Sequence, residues 1–324
     1  MTSLDIVLVN WNAGEQLRDC LASVASVVDA RQVGRVVVVD NASSDGSLDG
    51  LTRCGLPLEV VRNRANRGFA AACNQGGRAG TSEYLLFLNP DTRLFAGSLE
   101  TPLAFLARPE NRGVGICGVQ LVDADQRVLH SCSSFPTLCA LLCQAVGFSR
   151  LAPRWFPGLH MQNWDHATTR QVDHVIGAFF MIRRAVFEQL GGFDERFFVY
   201  LEDLDLSLRA REAGWRTVYL ADARAFHRGG GTSEQAKARR LFYALRSRVL
   251  YAGKHFSALG AGLVTAVTLL VEPWTRLLRS VLRLSPREAW ETAAAYVLLW
   301  GSMLPIPTMS HRRRFSVHGE ASQL

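Results

Sequence analysis

The sequence predicts an α/β protein: a Rossmann-like, mostly parallel open sheet flanked by helices, followed by an α-helical C-terminal appendage. Three observations carry this prediction. Short continuous apolar runs such as Ile6–Val9, Val36–Val39 and Tyr84–Leu88 read as strands buried on both faces. Between the first two, Leu17, Leu21, Val24 and Val28 recur at helical spacing, and strand–helix–strand makes a right-handed crossover. From Gln235 onward the composition changes. That segment carries 13 Lys and Arg against 4 Asp and Glu, among apolar runs, out of 36 and 29 in the whole chain.

The length of 324 residues and the 48% hydrophobic share supply a substantial core and exclude a disordered chain. The formal charge of +7 resides wholly in the apolar-rich last quarter, which argues against a nucleic-acid-binding face. Seven cysteines (Cys20, Cys54, Cys73, Cys117, Cys132, Cys139 and Cys143) form no Cys-x-x-Cys pair and are odd in number. Neither a zinc knuckle nor a disulfide framework is indicated, and a reducing cytoplasm is the expected home. The N-terminus runs into an apolar strand without the basic start and cleavage site of a signal peptide.

The first strand ends in the loop Asn10-Trp11-Asn12-Ala13-Gly14, and the second in Asp40-Asn41-Ala42-Ser43-Ser44-Asp45-Gly46-Ser47, expected to supply N-caps for a following helix. Open sheets bind ligands at the carboxyl ends of their strands, so Asn10, Asn12 and Asp40 are expected to share one crevice. No Gly-x-Gly-x-x-Gly follows the first strand, which argues against a dinucleotide cofactor. A third strand near Leu58–Val61 leads into Asn63–Asn74, whose small residues allow a helix to approach either a ligand or the sheet. Arg64 and Arg67 there are candidate phosphate contacts. The fourth strand stops at Asn89-Pro90-Asp91, where the aspartate is placed to hold a hard cation; the same tripeptide also suits an ordinary turn.

Val114–Val128 is strand-like, and 131–174 reads as a long irregular functional loop whose His160, His166 and His174 are loop residues. Val175–Ile182 restores a buried strand. Then Phe197–Arg209 places Glu202, Asp203 and Asp205 at the start of a helix with Leu204 and Leu208 on its apolar face and Gly214 as its stop. A carboxylate there suits a general base, although acids in a first turn also complement the helix dipole. Arg216–Leu220 is a strand and Phe226–Ser233 a glycine loop; His227, if close to Asp91, would complete a metal site.

Lys237–Lys254 reads as a basic helix, and Ala258–Val271 as an apolar run ending at Glu272-Pro273, short of the ~20 residues of a membrane crossing. Arg276, Arg279, Arg283 and Arg287 recur at helical spacing among Trp274, Leu277, Leu278, Val281 and Leu282, the pattern of a helix lying in a membrane interface. A second apolar run, Ala293–Leu304, precedes Pro305 and the basic tail His311–Arg314. The competing reading packs these helices on the catalytic domain or on a second copy in a homodimer.

In this order the motifs Val9-Asn10-Trp11-Asn12, Asp40–Gly46, Asn66-Arg67-Gly68-Phe69, Asn89-Pro90-Asp91, Gly177-Ala178-Phe179, Gly191–Glu195, Glu202–Leu206 and His227 resemble the family-two inverting glycosyltransferases of the GT-A fold, in particular the bacterial rhamnosyltransferase-like proteins. The resemblance implies a catalytic domain over 1–235 and a basic amphipathic segment over 236–324. It implies a donor pocket of Asn10, Asn12, Asp40, Asn41, Asp45, Asn66, Arg67, Gly68, Asn89, Gly177 and Ala178, with Asp40 on the nucleotide base. Asp91, with His227 as a further ligand, would hold Mg²⁺ or Mn²⁺ on the diphosphate, and Asn89 departs from the more frequent Asp-x-Asp. Asp203 would be the base, with Glu202 as its rival. The implied partners are a nucleotide-diphospho-sugar donor, first dTDP-rhamnose and otherwise a UDP- or GDP-linked hexose or galactofuranose, and a glycan or polyprenyl-diphosphate-linked acceptor at the cytoplasmic face of the bacterial membrane. Two rivals are a sugar-1-phosphate nucleotidyltransferase, which should carry a glycine-rich basic loop after the first strand, and a non-catalytic scaffold, which should lack Asp91 or Asp203.

Overall fold

A computed structural model describes residues 3–28, 32–51, 55–152, 154–155, 158–229 and 237–303. Cys54, Gly230–Ser233 of the glycine loop, the division at 235/236, Leu304, Pro305 and the basic tail His311–Arg314 lie outside the described residues.

The first strand, β1 (Leu4–Asn10), sets the layers by its period of two. Leu4, Ile6 and Leu8 enter one core with Leu17, Leu21 and Val24 of α1 (Glu15–Val27), while Val7 and Val9 enter a second core on the other face. On either side of β1 lie β2 (Val33–Asp40), with β3 (Leu58–Arg62) beyond it, and β4 (Tyr84–Leu88), all parallel. Between β3 and β4, α2 (Phe69–Arg78) packs against the second face. A Cβ on its Gly76 would stand 2.4 Å from a methyl of Val7, so the small residues of this stretch serve close helix–sheet packing.

Downstream come β5 (Thr92–Leu94), α3 (Glu100–Ala107) and β6 (Val114–Val122). The stretch expected to be irregular holds β7 (Cys132–Ser133), α4 (Leu138–Val146), α5 (Phe148–Leu151) and β8 (Arg170–Val172). Thr137 caps α4 by accepting the Ala140 N–H at 3.1 Å, and Gly147, with φ of 92°, ends it. After β9 (His174–Val175) and β10 (Phe179–Arg183) follow α6 (Arg184–Gln189), α7 (Glu202–Glu212) and β11 (Arg216–His227). The sheet order is β3-β2-β1-β4-β10-β6-β11-β5, with β8 beside β11. The strands β10, β5 and β8 run against the rest, so the sheet is mixed but mostly parallel.

Two further expectations are corrected. No α-helix stands among the described residues between β2 and β3, because the expected cap groups turn back to the β1 loop: Ser43 and Ser47 accept from the Asn10 amide, and Asp45 accepts from the Gly14 N–H at 2.7 Å. The strand expected over 175–182 is split at Gly177–Ala178, where the Gly177 N–H donates to Asp203 at 2.7 Å instead of joining a ladder.

The C-terminal segment comprises α8 (Lys237–His255), α9 (Ala258–Ala266), a π turn (Val267–Val271), α10 (Glu272–Leu282) and α11 (Pro286–Met303). The expected stop at Glu272-Pro273 does not occur. The widened turn before Pro273 accommodates a ring that would otherwise clash with the carbonyl of residue 269. Glu272, 1% exposed, receives Arg248 of α8 and Arg276 of α10. Lys254 and His255 of α8 meet the fully buried Asp205 of α7 at 2.7 and 2.8 Å, so Asp205 ties α8 down.

At the N-terminal ends of β1 and β4, Arg184 of α6 meets Asp5 of β1 at 2.7 Å with both residues buried, and Asp5 also accepts from the Ser82 N–H and hydroxyl. Asp5→Ala strands the guanidinium and is expected to cost about 3–5 kcal/mol, read as a lower thermal midpoint. Adding Arg184→Met should recover much of the loss; an unchanged midpoint in Asp5→Ala would contradict the pairing's role.

Candidate active site

At the carboxyl ends of β1, β4 and β11 lies a cavity of about 640 Å³. Asn41, Asn66, Asn89, Asp91 and His227 line it, and of the predicted site residues these are the ones that do. Antiparallel pairing of β5 with the end of β11 sets Thr92 opposite His227 and thereby brings His227 beside Asp91. Their Nε2 and Oδ1 are 3.4 Å apart, and both side chains are about nine-tenths buried. A carboxylate and an imidazole sharing a cavity wall fit a divalent cation that takes its remaining ligands from a diphosphate. Among the described residues no third His, Cys, Asp or Glu joins them.

The other predicted residues shape the loops around the cavity. The buried Asn10 amide donates to Asp40 Oδ1 at 2.8 Å and to the hydroxyls of Ser43 and Ser47. Asn12, in the left-handed region, accepts from the Ser44 N–H at 2.8 Å. Although burial acts to raise it, hydrogen bonds from Ser47 and Gly14 hold the Asp45 carboxyl below its ordinary range. Asn41 donates to the Gly68 carbonyl, and Asn66 accepts from the Gly68 N–H. Arg67 is half exposed and 4.0 Å from Glu195. Gly68 has a φ of 87°, and a Cβ there would stand 2.5 Å from the Phe198 carbonyl, which accepts the Phe69 N–H. This contact admits only glycine and docks the 197–201 loop onto α2.

That loop delivers the two acids. Tyr200 and Leu201 both adopt positive φ, 70° and 65°, a strained arrangement for non-glycine residues that turns the chain sharply into α7. Asp203 accepts from the Gly177 N–H through Oδ2 and from the Leu204 N–H through Oδ1, with its side chain 17% exposed. On its far side Ala178 accepts the Asn89 N–H at 3.1 Å, so the dipeptide Gly177–Ala178 couples Asp203 to the loop bearing Asp91. Asp203 itself is not part of the cavity lining. His174, fully buried, places Nε2 3.6 Å from Asp203, and its burial keeps the ring neutral.

Glu202 has a different environment. It is 5% exposed and its Oε2 has no hydrogen-bond partner. Burial, then the neighbouring Asp203 carboxylate, push it well above the usual carboxylate range. Glu202 is enclosed, whereas Asp203 is anchored by two backbone donors and keeps an exposed edge, which favours Asp203 as the proton acceptor.

Sequence reasoning missed a whole wall of the cavity. Arg239, Arg240 and Tyr243 of α8 line it, as do Trp11, Gln16 and Tyr200. Tyr243 stacks on Phe198 with ring centroids 4.3 Å apart and planes 10° from parallel. The adjacent Arg239-Arg240 pair was the available signal, hidden in a helix that is basic throughout.

Glu202 yields a test of sign. Its folded value lies above the ordinary 4.5, so its contribution to stability is complete below pH 4.5 and is lost as pH rises toward the folded value. Glu202→Gln should therefore gain stability relative to the parent protein above pH 4.5, by at most about 1.4 kcal/mol per pH unit. Denaturant unfolding at several pH values checks this; a difference independent of pH would show that Glu202 is ionised in the folded state.

The chain matches the family described as Glycosyl transferase family 2 over residues 5–191. It is 30% identical over 239 residues to the N-acetylglucosaminyl-diphospho-decaprenol L-rhamnosyltransferase of Mycobacterium tuberculosis, covering 69% of this chain and 75% of that protein. It is 28% identical over 153 residues to the rhamnosyltransferase WbbL of Escherichia coli, covering 46% of this chain and 54% of that protein. Among solved structures it is similar in fold to a mannosyltransferase from Pyrobaculum calidifontis, with a TM-score of 0.55 at 18% identity over 93% of this chain and 88% of that one. With its mixed GT-A sheet, the chain belongs to glycosyl transferase family 2, in the company of the bacterial rhamnosyltransferases.

Proposed function

We propose that this protein transfers rhamnose from dTDP-rhamnose, with inversion, to a hydroxyl of a lipid-linked or polysaccharide acceptor in cell-envelope glycan synthesis, working at the cytoplasmic face of the membrane. The observation that carries the reading is the Asp91–His227 pair set in a cavity with Asn41, Asn66 and Asn89. The mycobacterial relative, named for a decaprenol-diphosphate-linked acceptor and for rhamnose, supports the substrate classes. Residues 1–235 form the catalytic unit on this reading, with α8 of the 236–324 segment completing its cavity.

Asp91 and His227 would hold Mg²⁺ or Mn²⁺, which neutralises charge on the departing diphosphate. The solved mannosyltransferase of like fold is in complex with GDP-Man and Mn²⁺. Arg239 and Arg240 face the same cavity and would bind diphosphate oxygens, while the amides of Asn41 and Asn66 orient the nucleoside. Asp203, fixed by the Gly177 N–H, takes the proton of the acceptor hydroxyl as that oxygen bonds to the anomeric carbon. The bond from that carbon to the diphosphate breaks on the opposite face, and a single displacement inverts the centre.

Thermal shift with dTDP-, UDP- and GDP-sugars, with and without Mn²⁺, identifies the donor. A ligand at about a hundredfold excess over its Kd adds roughly 2.7 kcal/mol of apparent stability, so a true donor is visible. A metal-dependent shift with dTDP-rhamnose that is lost in Asp91→Ala is expected; a shift with a UDP- or GDP-sugar alone would replace the donor. Asp203→Asn should retain the shift yet lose about 10²–10⁴-fold in transfer, about 3–5 kcal/mol of barrier. Full transfer by that variant would remove Asp203 from the role of base.

A further inference from the structure

One C-terminal helix, α10, turns its large apolar side chains outward. Helix α10 buries Glu272, Pro273 and Ser280 and leaves Trp274, Leu278, Val281 and Leu282 more than 60% exposed. The apolar exposure continues onto Leu259 of α9 and Trp290 of α11. In the catalytic unit Leu151 and Trp155, close in sequence to Arg150, are 81% and 83% exposed in and just after α5. A soluble monomer does not ordinarily leave so much contiguous apolar surface in water.

Charge decides what covers it. The Thr275 hydroxyl donates to the Ala145 carbonyl at 3.1 Å, docking α10 on the end of α4. Arg150 is thereby brought into the field of Arg276, Arg279 and Arg283. The acids facing this group are Glu272, already shared by Arg248 and Arg276, and Glu288, 3.6 Å from Arg283. Positive charge therefore exceeds negative charge among the tryptophans and leucines. A second copy docked face to face about a two-fold axis would set one arginine group against its twin, without compensation. A surface of lipid phosphates over acyl chains supplies both the anions and the apolar medium that this face lacks.

By length and hydropathy the continuous helix Ala258–Leu282 could cross a bilayer. Glu272 lies within it, however, and a crossing would tear that carboxylate from Arg248 of α8. The helix therefore fits a position along the surface.

We infer that α9–α11, together with Arg150 and Trp155 of the catalytic unit, form one docking surface for an anionic phospholipid bilayer, in which Arg150 and Arg279 hold lipid phosphates and the tryptophans enter the interface. This rests on the membrane placement proposed above and adds to it the surface, the lipid charge and a share for the catalytic unit. Both parts of the chain touch the membrane at once, so the active site meets the bilayer in one orientation.

The test is flotation of the full-length protein with vesicles of phosphatidylcholine alone or containing about a third phosphatidylglycerol. The parent protein should float with the anionic vesicles. Arg150→Gln with Arg279→Gln should weaken that binding by about twenty-fivefold, roughly fivefold for each arginine, and Trp155→Ser should weaken it further. The donor-induced thermal shift should be unchanged in all of these, since the residues lie outside the cavity. Equal binding to both vesicle types overturns the lipid-phosphate role, and parent-like binding by Arg150→Gln and Trp155→Ser overturns the share of the catalytic unit. A concentration-independent dimer that ignores vesicles would assign the face to a second copy. Anionic-vesicle binding without any donor shift would instead fail the proposed activity and leave this surface standing.

Discussion

The hydrogen bond from the Gly177 N–H to Asp203 governs the catalytic half of the molecule. It takes one backbone donor out of the sheet, separates β9 from β10, and fixes the first turn of α7 beside the start of the interior strand β10. The adjacent Ala178 carbonyl receives the Asn89 N–H, so the same dipeptide sets the height of the loop that carries Asp91. Gly177 suits this position because a Cβ would stand 3.1 Å from the Asp203 carboxylate, tighter than ordinary contact. The strained Tyr200 and Leu201 are sustained by these contacts together with the docking of Phe198 on Gly68. The spacing between the proposed base and the proposed cation site therefore belongs to a rigid frame, as a displacement reaction requires.

The second constraint is the fully buried Asp205. Although it stands in the same first turn as Glu202 and Asp203, its partners are Arg209, Lys254 and His255. Three acids within four residues thus serve three purposes: Glu202 is buried with its affinity for a proton raised, Asp203 is anchored with an exposed edge, and Asp205 is a structural counter-ion. Burial of a carboxylate at this depth is tolerable because each oxygen meets a cation. The reward is a fixed α8, whose Arg239, Arg240 and Tyr243 close the cavity.

Much of the sheet was legible because buried parallel strands are continuous apolar runs, and those runs are unambiguous at β1, β2 and β4. The helix α7 was legible from Leu204, Leu208 and Gly214. What the sequence hid follows from long-range contacts. Ser43, Asp45 and Ser47 look like caps until the β1 loop is present to claim them. The short α4 lies among residues without a charged face, so its period could not be read, although Thr137 and Gly147 mark its ends. At the site, Asp91 and His227 could be paired in advance only by resemblance, since 135 residues separate them and a β5–β11 pairing joins them. Arg239 and Arg240, adjacent in a helix that is basic along its length, did not stand out as site residues.

The helix α8 also explains how the proposed membrane-facing surface and the cavity act as one body. Along its length Tyr243 stacks against the cavity wall, the Ser247 hydroxyl holds the Val199 carbonyl, and the next residue, Arg248, grips Glu272 of α10. Lys254 and His255 then close the far end on Asp194 and Asp205. Adjacent residues of one helix thus hold the loop that delivers the proposed base and the helix that carries Trp274, Arg276 and Arg279. A flexible tether would keep the enzyme near lipid but leave its orientation free. A buried ion pair at this point leaves little freedom, so on the proposed membrane placement an acceptor extending from the bilayer would meet a cavity whose height and tilt are set by the same contacts that hold the fold together.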